Sequence, residues 1–153
     1  MNQTEDNRSA VSTEAIKWRR QALVQGWVSV AGWMTFGLLL EGLLGFKTPA
    51  YLFDSDRREL FRLAHAHGTL LGLILLAAAL CSQVFQITPP RAGRLALQLG
   101  AFVMPFGFLL AGIWHYESDP GLGIWLVPPS AALLVFGTVT FALAGRSRKR
   151  EGD

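Results

Sequence analysis

Leu63-Ala64-His65-Ala66-His67-Gly68-Thr69-Leu70-Leu71-Gly72 opens an apolar run that reaches Phe85 without a formal charge and carries two of the chain's three histidines. As a helix, such a run is long enough to cross a hydrocarbon layer of roughly 30 Å. Three similar runs flank it, from about Ala22 to Phe46 with Glu41 as its single formal charge, from about Leu95 to Tyr116, and from about Ile124 to Ala144. The connections at 86–94 and 117–123 are short enough to force antiparallel neighbours. The pattern predicts an all-α fold, an integral membrane four-helix bundle of antiparallel up-down topology over residues 17–145. A mobile polar N-terminal tail (1–16) and a basic C-terminal tail (146–153) complete the chain.

Composition supports one domain of this class: 51% of the residues are hydrophobic and 16% charged, with the charge gathered at 1–20, 47–62 and 146–153. The single cysteine, Cys81, excludes an intrachain disulfide and a thiolate metal cluster. Glu5, Asp6 and Glu14 argue against a mitochondrial transit peptide, and no early apolar segment ends in a cleavage site, so the first run is expected to be retained. No G-x-S-x-G, P-loop or H-E-x-x-H motif is present. The net charge of +3 sits at the ends of apolar runs, which points to a lipid bilayer and not to nucleic acid.

Basic residues set the orientation. With both termini cytoplasmic, the inner side carries Arg8, Lys17, Arg19, Arg20, Arg91, Arg94, Arg146, Arg148, Lys149 and Arg150, and the outer loops carry Lys47, Arg57, Arg58 and Arg62. Ten against four predicts that topology in the cell's inner membrane. Trp114 and Trp125 are expected as outer interfacial anchors, and Trp18 and Trp27 as inner ones. Pro105, Pro128 and Pro129 are expected to kink the third and fourth spans. Ser55 or Asp56 should cap the helix entering the second span, with Glu59 in its first turn.

Depth brings the polar residues together. Positions 67 and 115 are centred on residue 91, and 65 and 115 on residue 90, within the Pro89-Pro90-Arg91 turn, so His65, His67 and His115 share a level near the outer face. Glu41 and His65 are centred on residue 53, in the first outer loop, which adds Glu41 to the layer. A 100° step per residue places His65 with Gly68 and Gly72, a G-x-x-x-G face suited to close approach by a partner helix, a membrane-protein partner or a second copy. His67 falls on the face of Leu71, Ile74 and Cys81. Neutral imidazoles at one depth suit Zn, Cu or Fe, and two opposed imidazoles suit haem b. The candidate cofactor ligands are His65 and His115, and the candidate metal set is His65, His67, His115 and Glu41.

A plainer reading makes the histidines boundary residues hydrogen-bonded to a carboxylate or carbonyl, with Glu41 and His65 or Arg62 forming an interhelical clamp. The L-A-H-A-H-G-T-L-L-G stretch, with R-R-E-L-F-R before it, resembles a segment of uncharacterised small bacterial membrane proteins with four spans. That resemblance implies four spans over most of the chain and no activity. The A-H-A-H pair is more distantly similar to histidine-bearing helices of haem-copper oxidase-like membrane proteins, whose many spans and further histidines are missing here. The expected function is binding of a metal or haem in a redox or electron-transfer accessory role; the alternative is a cofactor-free structural or assembly subunit.

Overall fold

A computed structural model describes the backbone of residues 3–114 and 119–151, with side chains described for 13–114 and 119–147. The order is α1 (Gln3–Gly45), α2 (Pro49–Leu52), α3 (Ser55–Val84), α4 (Arg91–Ile113), a 3-10 turn (Leu122–Leu126) and α5 (Val127–Glu151), with no strands among the described residues. Four of the helical segments are long and apolar enough to cross a membrane: Thr13–Gly45, Ser55–Val84, Arg91–Ile113 and Leu122–Ser147.

Local chemistry sets the helix ends. The polar head expected as a tail is helical from Gln3 and continuous with the first span, because its Glu, Ala, Arg and Gln residues are good helix formers with no Gly or Pro to interrupt them. Beyond Gly45 the chain turns through Lys47 at φ 53°, with Thr48 N–H donating to the Leu43 carbonyl at 3.0 Å. The cap of α3 is Asp54 rather than Ser55 or Asp56; its Oδ1 accepts from the Arg57 amide at 2.9 Å. The expected turn at Pro89-Pro90 separates α3 from α4. Helix α4 continues through Pro105, and Pro128 and Pro129 stand in the first turn of α5, where a missing N–H costs nothing.

Packing departs from a closed bundle. Helix α1 lies on α3, α3 on α4, and α4 on α5; α1 touches α4 lightly, and α1 and α5 are not in contact among the described residues. The reason is the distribution of small residues. Helices α3 and α4 bury Ala64, Gly68, Gly72, Ala79 and Gly100, Ala101, Ala111, Gly112, which admit a neighbour on each side. Outer helices α1 and α5 leave bulky residues exposed, among them Val24, Trp27, Leu38 and Leu39 on α1 and Val135, Phe136, Val139 and Leu143 on α5.

The G-x-x-x-G face of α3 is filled by α1 of the same chain. Gly26 lies against Leu76 and the Gly72 carbonyl, Gly68 under the Trp33 indole, and Gly37 under the His65 imidazole. Ser29 Oγ donates to the Gly68 carbonyl at 2.9 Å. At the far end of α1, Trp18 is buried in the core instead of anchoring at the interface; Trp27, Trp114 and Trp125 are exposed.

Candidate functional site

The two histidines of the motif face different helices. Two residues apart on α3, they are separated by about 200° around the axis. His65 Nδ1 lies 2.6 Å from the Trp33 carbonyl oxygen of α1. A carbonyl can only accept, so Nδ1 carries the proton and Nε2 of the neutral ring keeps its lone pair. The ring fits because residue 37 is glycine: a Cβ there would stand 2.3 Å from His65 Cε1. The interface is reciprocal, since a Cβ at Gly68 would stand 2.2 Å from Trp33 Cδ1.

His67 turns toward α4, its ring 5.0 Å from that of Phe108, with Nδ1 donating to the Leu63 carbonyl at 2.9 Å. His115, with Glu117, lies outside the described residues. Among the described residues no three His, Cys, Asp or Glu side chains gather as a metal set would require. Of the expected set His65, His67, His115 and Glu41, the first two face apart, because positions two residues apart on a helix are turned by about 200°. A haem needs two imidazoles opposed across its plane. Of the expected pair, His65 is seated against the Gly37 backbone, and His115 lies outside the described residues.

His65 and Glu41 do share a site. Both line a groove of about 1010 Å³ formed by α1, α2 and the start of α3. Tyr51, Arg58, Arg62 and Thr69 supply its other polar groups besides Glu59, and Met34, Leu38, Leu44 and Leu63 form an apolar wall. Pro49 starts α2 at its first position, and this short helix carries Tyr51 into burial at 5% exposure. Arg58 Nη1 fastens α2 to α3 by donating to the Leu52 carbonyl at 2.8 Å. Burial pushes the Tyr51 phenol above its usual value; Arg62 and Arg58 pull it down and Glu41 pushes it up.

Two groups in the groove have no partner among the described residues. Glu41 forms no ion pair or hydrogen bond among the described residues: Arg62, the expected partner, lies 3.9 Å from Glu59 in an exposed pair worth little. Thr69 Oγ1 is buried without a hydrogen-bond partner. Tyr51, Arg58 and Thr69 went unrecognised as site residues in the sequence. The usable signal was Pro49 two residues before Tyr51, a helix start that turns the aromatic residue inward. No protein family model, curated protein or solved structure matches the chain.

Proposed function

We propose that the chain is a multi-pass protein of the cell's inner membrane whose groove near the outer face binds the head of a quinone-type amphiphile, in a redox accessory role. In this reading the four apolar helices cross antiparallel with both termini cytoplasmic. Support for the bilayer comes from the apolar side chains that α1 and α5 turn outward, far more than a water-soluble monomer of this size exposes. The registers 26 with 72, 33 with 68 and 37 with 65 support the antiparallel order.

The observation that carries the ligand is the make-up of the groove: hydrogen-bonding groups without protein partners beside an apolar wall. A quinone head presents two carbonyl oxygens to donors such as the Tyr51 and Thr69 hydroxyls, and its quinol form presents hydroxyls to an acceptor such as His65 Nε2 or Glu41. Its isoprenoid chain suits Met34, Leu38 and Leu44. The cofactor-free structural or assembly reading is favoured by a different observation, the seating of the His65 ring between the Trp33 carbonyl and Gly37, which is a complete interhelical clamp.

One preparation separates the readings. The full chain, purified from quinone-replete cells in mild detergent, is extracted with organic solvent, and the extract is scanned in the ultraviolet before and after reduction. Quinone retained by the wild type and lost in the double variant Tyr51→Phe, Thr69→Val supports the groove. An extract holding phospholipid and no quinone defeats it and leaves the structural role, and a Soret band on the intact protein would return haem. A reporter fused after Asp153 tests the topology, and an external signal inverts it.

A further inference from the structure

At the other end of α1 the structure holds a buried cation with no counter-ion among the described residues. Arg94 stands in the first turn of α4 at 8% exposure. Its guanidinium donates from Nη1 to the Glu14 carbonyl at 3.2 Å, its Nε has no partner, and no carboxylate of the described residues lies within ion-pair reach. Arginine is almost never so buried without a compensating charge, because an unpaired ion in low dielectric is costly. Beside it Trp18, at 5% exposure, has a buried Nε1–H that is also without an acceptor.

Both side chains line a pocket of about 230 Å³ between α1 and α4, with Lys17 and Arg91 as further cations and Glu14 as the one carboxylate. Pro90 precedes α4 without a side-chain cap, so the helix also turns its uncapped first-turn amides to this end. Leu95, about half exposed, forms the edge from which an acyl chain would leave.

We infer that this pocket binds a phosphate anion, the headgroup phosphate of an anionic phospholipid, as the missing counter-ion of Arg94. Basic pockets between spans on the cytoplasmic side recognise such headgroups, and this one combines a buried guanidinium, two rim cations and an indole N–H. The volume admits a phosphate and its ester oxygens, with the acyl chains lying outside against Leu95.

The test is native mass spectrometry of the full chain in mild detergent, titrated with phosphatidylglycerol, with phosphatidylcholine, or with inorganic phosphate. Phosphatidylglycerol should be retained over phosphatidylcholine by about tenfold. That preference should fall in Arg94→Gln and in the rim variant Lys17→Gln, Arg91→Gln, which leaves the buried residues in place if the first variant fails to fold. Displacement of phosphatidylglycerol by millimolar inorganic phosphate also supports a phosphate site and identifies the free anion as a sufficient ligand. Equal retention of the two lipids with no effect of phosphate overturns the inference, as does a preference unchanged in the rim variant. The inference rests on the bilayer reading and not on the quinone groove. Release of the chain from membranes by alkaline carbonate defeats the bilayer reading together with this one, whereas a retained chain without lipid preference defeats this one alone.

Discussion

Gly68→Ala puts the α1–α3 interface to its sharpest test. The added methyl would stand 2.2 Å from Trp33 Cδ1, 2.3 Å from Cγ and 2.3 Å from Nε1, well inside contact distance. Trp33 has little freedom to withdraw. Its ring lies 5.6 Å from Phe36 at 85° and 5.4 Å from Phe106 at 69°, both edge-to-face. Overpacking of this kind costs about 1–3 kcal/mol, and an aromatic pair lost as the indole shifts costs about 0.5–1.5 kcal/mol more. Against this, alanine is favoured over glycine inside a helix by about 1 kcal/mol. The balance is a loss of about 0.5–3.5 kcal/mol. Reversible unfolding in mixed micelles with rising dodecyl sulfate measures it, with Gly32→Ala as the control, because a Cβ there meets nothing within 4 Å. The control should gain stability, and on a Trp33→Val background, itself destabilised by the lost ring, the added Gly68→Ala should cost little or nothing. Gly68→Ala as stable as Gly32→Ala, or a Gly68→Ala loss undiminished on the Trp33→Val background, would refute the close approach.

Other substitutions test the groove and the helix ends. The Tyr51 phenol, raised by burial from the usual 10.0, should ionise later than free tyrosine in an ultraviolet pH titration compared with Tyr51→Phe. Because the folded value is the higher one, its contribution to stability is fully present below 10.0 and is lost as pH rises through the raised value. A wild-type titration indistinguishable from that of free tyrosine would mean Tyr51 is solvated. Asp54→Ala removes the acceptor of the Arg57 amide and should cost about 1 kcal/mol in the same micelle assay. Lys47→Gly relieves a left-handed backbone at φ 53° and should gain about 1 kcal/mol, a change of opposite sign from the same assay.

The four long apolar helices were legible because apolar runs of membrane length admit few other structures. The split of His65 from His67 was also legible, since it follows from helical rotation alone. What the sequence withheld was the identity of the neighbours. A G-x-x-x-G face announces that some backbone will come close, and nothing in Gly68 and Gly72 says whether that backbone belongs to α1 or to another chain. The open row of helices was hidden for the same reason. Glycine at 37 looked like one of several unaligned glycines in α1, and its meaning emerges only with the His65 ring against it. Trp18 misled because a tryptophan near a basic cluster fits an interfacial anchor and a core residue equally well. Proline at 128 and 129 misled because its effect depends on a helix boundary that hydropathy locates only within a few residues.

The polar sites gain meaning from their separation along one rigid element. Trp18, beside the Arg94 pocket, and Glu41, in the groove, lie on the same helix. At 1.5 Å per residue they are about 35 Å apart, slightly more than the hydrocarbon thickness of roughly 30 Å. A bilayer centred between them places Glu41 and His65 at one water boundary and Arg94 at the other, where ionisable groups are cheap compared with the bilayer centre. The same placement sets Arg57, Arg58 and Arg62, which precede the apolar part of α3, at headgroup level. In the proposed bilayer, groove and pocket face opposite compartments whichever way the chain inserts. Inverting the topology would exchange the compartments without merging the sites, so a ligand in one cannot reach the other by a shared aqueous path. Helix α1 joins the two sites, and its glycine contacts with α3 at 26, 37 and 68 are the place to look for communication between them.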